Sequence, residues 1–407
     1  MEIEIANVKG FKDYLPPESL KRKQVEKVIE KYFKLYGFLP VETPIIEFDE
    51  LMKSDTLPSE SEDEAVSDRF RLKDRAGRNL GLRYEFTFQL SRILKQNPNL
   101  KFPFRRYQIG PVFRDEPVSS ERFRQFVQCD ADIIGSDSVK FDAECILLFS
   151  EILEELGINA EVQINNRNLL KSIIESVQIS NVKSVMKELD KMNKVGEDAV
   201  KLNLKKYADS NQILTLFKLL EKPLEFFKKN LFEGYDDLVS LKKECSKYGL
   251  KVKVNLFMIR GLGYYTGNIF EIVSPGKSSI AGGGRYDKSV GKYLGRDIPA
   301  VGISFGLERV TQLAKIDVPS QPVVIVISIS QEKASIDLIK KIRKSGISCV
   351  AGFDKVGKSL EYADSYKIPY AVIIGDNEVS KGKYKLKDMK SGEESLVSEK
   401  QLIKKLF

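Results

Sequence analysis

Histidine is absent from all 407 residues of the chain. That excludes an imidazole general base, Ser-His-Asp and Cys-His triads, and every histidine-ligated metal site. Cysteine is scarce as well. Cys129, Cys145, Cys245 and Cys349 lie far apart, with no CxxC pair to mark a zinc ribbon or a redox dithiol. Few, scattered thiols fit a reducing compartment better than a disulfide framework, so an intracellular, cytoplasmic location is expected. No uninterrupted apolar run is long enough to span a bilayer, and no membrane partner is expected. The opening MEIEIANVKGFKDYLP lacks the basic start and apolar core of a secretory leader.

What the chain does have is arginine in glycine-rich and aromatic company. RGLGYYTGNIFE at 260–271 opens on Arg260, AGGGRYD at 281–287 holds Arg285 and Tyr286, and GISFGLERV at 302–310 contains Arg309. FRRYQIGPVFRDEP at 104–117 adds Arg114. A planar, permanently charged guanidinium suits phosphate and carboxylate oxygens, so the set points to phosphoryl or nucleotidyl chemistry. Any one segment taken alone is equally well read as an ordinary exposed arginine.

The pattern along the chain is mixed. Residues 18–36 place Val25, Val28, Ile29, Tyr32, Phe33 and Tyr36 on one helical face, and Gly37 ends that helix. FLPVETPII reads as extended, residues 53–68 as a polar mobile loop, and FRLKD with NLGLRYEFT as a hairpin. Strand patterns follow at 105–114, 123–134 and 160–165, with a helix over 141–156 between the last two. Residues 166–250 become lysine-rich and amphipathic, which predicts a helical insertion. Strand patterns resume at 252–258 and 269–273, and a helix is expected over GLERVTQLAKI. DVPSQP at 317–322 reads as a linker, and beyond it strands and helices alternate as a small α/β domain. Residues 322–407 hold 16 Lys and Arg against 11 Asp and Glu, within a net charge of +8. A basic terminal domain suits phosphate-backbone contact, and an ordinary lysine-rich surface explains the charge equally well. GFDKVGKS at 352–359 satisfies the phosphate-loop pattern, but it hangs on a very small domain and contains Asp354, which argues against a nucleotide there.

Together these segments resemble the signatures of class II aminoacyl-tRNA synthetases, and within them the histidyl-tRNA synthetases. VKGFKDYLP, the first helix with TPIIE, VFRDE and GISFGLERV resemble the family's opening and its three class motifs. LRYEFT and RGLGYYTG are similar to its two histidine-recognition signatures, and INNRNLL at 164–170 to the entry of its helical insertion. YADSYKIPYAVIIGDNEV resembles the anticodon-binding tail. The resemblance implies an α+β fold: a class II antiparallel-sheet catalytic core of six or more strands (1–165 and 251–317), a helical insertion (166–250) and a C-terminal α/β anticodon-binding domain (322–407). It implies an obligate homodimer that uses ATP and Mg2+, histidine and tRNA(His).

By match to the motifs, Arg114 holds the α-phosphate, Glu116 the adenine side and Arg309 the γ-phosphate. Arg260 bridges the α-phosphate and the substrate carboxylate. Glu85 pairs with the amino group, and Thr87 and Gln128 are associated contacts. Asp132 and Tyr265 bond the imidazole, while Tyr264 and Tyr286 line the same pocket. No residue in the sequence identifies a magnesium ligand. Gly263 stands where the family usually has aspartate, and Val127 where relatives carry histidine or an aromatic. The closest alternative is a catalytically silent, histidine-sensing paralogue of the ATP phosphoribosyltransferase regulatory-subunit type, which predicts decayed motifs and no anticodon domain.

Overall fold

The computed structural model describes residues 5–52, 68–119, 122–260, 264–275, 279–352 and 354–407. The expected loop over 53–68 therefore lies, but for Asp68, outside the described residues. The chain divides into two compact units, Met1–Ile316 and Asp317–Phe407.

The first unit is built on one 8-stranded sheet. Its strands are β1 (Leu39–Pro40), β2 (Phe104–Phe113), β3 (Gln125–Ile134), β4 (Glu161–Asn166), β5 (Val252–Val254), β6 (Asn268–Val273), β7 (Ser279–Arg285) and β8 (Ala300–Gly306). They lie in the order β1-β2-β3-β8-β7-β6-β4-β5. The six inner strands pair antiparallel. One short strand adds in parallel at each edge.

Along β2, β3 and β8 the side chains alternate with the two-residue period of a strand. Tyr107, Cys129, Ala131, Ile133, Val301, Ile303 and Phe305 join the buried core. Two helices, α1 (Glu18–Leu35) and α2 (Val139–Glu155), contribute to that same core. Phe33 of α1 meets Tyr107 at 5.1 Å between ring centroids, and Phe149 of α2 meets Phe305 at 4.4 Å. The residues between them on the strands are polar or glycine, and they form the other face.

The stretch 166–250 is helical, as its periodicity predicts, running from Arg167–Ser176 to Tyr235–Lys247. Its apolar faces, including Leu169, Leu216 and Leu241, belong to the same core as the sheet. The hairpin expected from FRLKD and NLGLRYEFT forms between Arg71–Lys73 and Asn79–Leu82, where it also pairs with Ile46–Phe48. Its second arm is shorter than expected. The chain leaves the strand after Leu82 and enters the helix Phe88–Gln96, whose Phe88 N–H donates to Glu85 Oε1 at 2.9 Å. A side chain that satisfies an orphan helix donor favours this turn over a continued strand.

The second unit has a 5-stranded sheet with Val324–Ser328, Cys349–Gly352 and Tyr370–Ile374 parallel and two further antiparallel strands. The two last strands, Tyr384–Asp388 and Glu394–Val397, and the helix Glu399–Leu406 were not foreseen. Their alternation buries only Leu386 and Val397 among many lysines and acids, which weakens the strand signal. In the phosphate-loop lookalike the placing of Ser359 argues against a nucleotide. The strand ends at Gly352 and the helix starts at Val356, so Gly357, Lys358 and Ser359 are already helical. Ser359 is buried, and a Cβ at Gly352 would stand 2.9 Å from its Oγ, so its hydroxyl faces the strand.

Phe149 joins α2 to the middle of the sheet, so Phe149→Ala is expected to cost about 3–5 kcal/mol. A lowered urea midpoint with an unchanged slope is the expected reading, and an unchanged midpoint contradicts this packing.

Candidate functional site

The polar face of the sheet floors a cleft of about 720 Å³. Strand register builds that floor in rows. Arg106, Asp132 and Gly302 are neighbours across β2, β3 and β8; the next row is Gln108, Asp130 and Ser304, and the third Gly110, Gln128 and Gly306. Gly302 is required where it stands, because a Cβ there would come within 2.0 Å of Asp132 Oδ1.

Every residue assigned to the site from the sequence lines this cleft. Arg114 sits between aromatic rings, its Cζ 4.4 Å from the Tyr84 centroid and 5.0 Å from that of Phe126. Its Nη2 donates to Gln128 Oε1 at 3.0 Å. Gln128 Nε2 in turn donates to Asp130 Oδ1 and to Ser304 Oγ, each at 3.1 Å. Glu116 pairs with Arg122 Nη1 at 2.8 Å. Arg260 lies over Gly282, where a Cβ would be 2.2 Å from its Cζ, and its Nη1 meets Glu271 Oε1 at 2.8 Å. Gly282 and Glu271 are register partners, so the glycine makes the space and its neighbour the anchor. Arg309, on the helix Leu307–Leu313, donates to the carbonyl of Ser279.

The cleft also holds acids and aromatic rings. Tyr264 Oη donates to Glu85 Oε2 at 3.0 Å, and Tyr264 packs against Tyr265 and Tyr286 with centroids 4.8 and 5.8 Å away. Tyr286 Oη donates to Asp132 Oδ1, and Thr87 is buried beside them. Burial pushes Glu85 up to about 7, with the charge of Asp130 adding to the rise. Burial also lifts Asp130 to about 6 against the pull of Arg106. A carboxyl poised near neutrality in a cleft is suited to taking up a cationic partner.

Arg285 departs from the expectation of an anion grip. It pairs in register with Val301, on the helix-covered face, and its Nη2 meets Asp142 Oδ2 at 2.6 Å. It also donates to the carbonyls of Ser136 and Ser138. The two-residue period thus sends Arg285 to the side opposite the cleft. Gly263 lies outside the described residues.

Sequence reasoning missed Arg106, Asp130, Ser304 and Glu271. The first three were signalled by alternation, since RRYQIG, QCDAD and GISFG place polar groups or glycine on every second residue. Glu271 had no such signal. The helical stretch 166–250 also reaches the cleft, through Leu189, Asp190 and Met192. Among the described residues no cluster of three metal-binding side chains occurs. Magnesium is usually carried into phosphate-binding clefts by the nucleotide, not held in a dedicated all-protein cage.

Three arginines lining a cleft over an antiparallel sheet mark the architecture of a class II aminoacyl-tRNA synthetase. Residues 10–310 match the family model described as histidyl-tRNA synthetase, and residues 321–406 match an anticodon binding domain. The chain is 36% identical to histidine–tRNA ligase 1 of Bacillus cereus, over 96% of this chain and 95% of that protein. It is 32% identical to histidine–tRNA ligase of Clostridium tetani, over 97% and 96%. The crystal structure of histidyl-tRNA synthetase from a Nostoc species superposes with a TM-score of 0.86 at 29% identity, covering 100% of this chain and 99% of that one. The chain belongs to the histidyl-tRNA synthetase family.

The Arg114 guanidinium reaches the Tyr84 carbonyl through Nε and Gln128 through Nη2 at once, a fork that lysine lacks. Arg114→Lys is expected to lower the activity of the site by about 100-fold with the fold intact. Lys358→Ala, in the lookalike loop, is expected to change neither activity nor the KM for ATP. Steady-state kinetics on both variants checks this, and the reverse pattern would move the nucleotide to the second unit.

Proposed function

We propose that the chain activates histidine with ATP, forming histidyl-adenylate and pyrophosphate, and then transfers the histidyl group to tRNA(His). The observation that carries this reading is the meeting in one cleft of the arginines from three separate motifs with the buried acids and tyrosines of LRYEFT, QCDAD and RGLGYYTG. The substrate carboxylate attacks the α-phosphorus in line and pyrophosphate leaves. Charge spreads over phosphoryl oxygens, so the protein's task is positioning and cationic stabilisation.

Arg114 holds the α-phosphate, in a guanidinium plane fixed by Tyr84 and Phe126. Arg260, anchored by Glu271, bridges that phosphate and the carboxylate. Arg309 takes the γ-phosphate and Glu116 the adenine side. Glu85 receives the amino group, with Thr87 and Gln128 beside it. Asp132 and Tyr265 hydrogen-bond the imidazole, and Tyr264 and Tyr286 line the same pocket. A buried site that pairs the ring nitrogens rejects analogues that leave its own polar groups unpaired. Magnesium accompanies the ATP phosphates and offsets their charge.

Residues 1–165 and 251–317 serve as the catalytic core, 166–250 as an insertion domain, and 322–407 as the anticodon-binding domain. The working form is a cytoplasmic homodimer. Among the described residues no helix is long and apolar enough to cross a membrane.

Amino-acid-dependent ATP–pyrophosphate exchange with each of the twenty amino acids tests the first step. Exchange with histidine alone is expected. Exchange with a different amino acid overturns the pocket assignment, and histidine binding without exchange points to the silent sensor. A pH series tests Glu85. Its carboxyl is held up near 7, so below that pH it is protonated and has no charge to offer an ammonium. Histidine affinity is expected to weaken as pH falls from about 8 to about 6, approaching tenfold per unit at the acid end. Glu85→Gln should bind more weakly and lose this step, keeping the titrations of the substrate's own imidazole and of Asp130, which lies near 6.

A further inference from the structure

The ion pair under the cleft leaves part of itself unused. Arg106 is 0% exposed, and its Nη2 stands 2.7 Å from Asp132 Oδ2. The contact is one of charge without a hydrogen aimed along it. Nη2 donates to the carbonyl of Phe86 at 3.4 Å, and among the described residues Asp132 Oδ2 accepts no hydrogen bond. Nε and Nη1 of Arg106 have no hydrogen-bond partner there either. Arg285, an arginine that holds the fold together, uses its fork on Asp142 and two carbonyls. What Arg106 supplies is a positive charge, placed in the register row of Asp132.

That charge fixes the direction of a hydrogen bond. An ionised carboxylate only accepts, so the Tyr286 proton is committed to Asp132 Oδ1. Tyr286 then turns an oxygen lone pair toward the cleft it lines. Gly302 permits the arrangement, because a Cβ there would stand 2.0 Å from Asp132 Oδ1 and 3.1 Å from Tyr286 Oη. A protonated Asp132 would itself donate, and the Tyr286 hydrogen would be free to turn into the cleft. Burial pushes Asp132 toward that neutral form, and Arg106 is the largest influence against it.

We propose that Arg106 is a positioning residue that keeps Asp132 ionised and thereby sets Tyr286 as a hydrogen-bond acceptor, so that this part of the cleft selects a ring bearing an N–H. The proposal rests on reading the cleft as the histidine site. The relay runs from Arg106 through Asp132 and Tyr286 to the imidazole. A ring nitrogen that carries a methyl group in place of hydrogen leaves the Tyr286 oxygen unpaired and crowded.

The test is ATP–pyrophosphate exchange on the full chain and on Arg106→Gln, Arg106→Lys, Tyr286→Phe and the double variant R106Q/Y286F. The KM for histidine, the KM for ATP and kcat are read separately. R106Q and Y286F are each expected to raise the KM for histidine roughly 10- to 100-fold, the scale of one lost buried hydrogen bond. The kcat at saturating histidine and the KM for ATP stay put. R106K, which keeps the charge, stays close to the unmodified protein. The double variant is no worse than the weaker-binding single, because both changes break one relay. Multiplying losses in the double variant overturn the proposal, as does a Y286F with normal KM. So does an R106Q that lowers kcat and ATP affinity together, which is the mark of a merely loosened sheet. If R106Q fails to fold, Y286F and R106K decide: the first must weaken histidine binding and the second must not. An unmodified protein that shows no exchange with histidine removes the functional reading itself, whereas normal exchange with an unaffected Y286F removes only the relay.

Discussion

Along β2, β3 and β8 the side chains alternate between a face packed on α1 and α2 and a face open to the cleft, and the rest of the molecule depends on that alternation. Tyr107, Cys129, Ala131, Ile303 and Phe305 bury one side, while Gln128, Asp130, Asp132 and Ser304 line the other, with Arg106 buried beneath them. Each strand therefore carries core and site at once. A slip of one residue in register would exchange them, putting carboxylates under the helices and phenylalanine in the cleft. The hydrophobic packing that stabilises the sheet is the same constraint that fixes where each polar group of the floor stands.

Glycine completes the arrangement at two places. Gly302 leaves room for Asp132 and Gly282 leaves room for the Arg260 guanidinium, and at both positions a single added carbon would lie within about 2 Å of those groups. The cleft thus comes pre-shaped, its charged groups held by neighbours on rigid strands. Such support limits the reorganisation a bound substrate must drive. The cleft brings charges of both signs close together: Arg114, Arg260 and Arg309 line it with Glu85, Asp130 and Asp132, and the buried Arg106 stands beside Asp132.

Much of this was legible beforehand, for identifiable reasons. The helix at 18–35 and the strands 104–113 and 125–134 show long, regular periods. The arginine motifs are short, local and rich in residue types that few other roles require. The turn at Glu85 was harder to see, because a side chain capping a following helix looks like the continuation of a strand. The last hairpin was hidden by its lysine-rich exposed edge. Arg285 shows the opposite failure, since its residue type and its motif both pointed to anion binding.

By itself the sequence pointed to the class of chemistry, because arginines beside glycine and aromatic rings recur in several separate motifs, although no one segment carried that reading alone. It also named many of the residues that line the cleft, those in compact motifs that match a known family, but not Asp130, Ser304 or Glu271. Only the tertiary structure decided which arginines face the substrate and which hold the fold. Arg260 and Arg285 lie in similar local sequence, yet one rests over Gly282 in the cleft and the other is turned to Asp142 beneath the sheet. Strand register and side make that distinction, and they are properties of how distant segments pair, not of any segment alone.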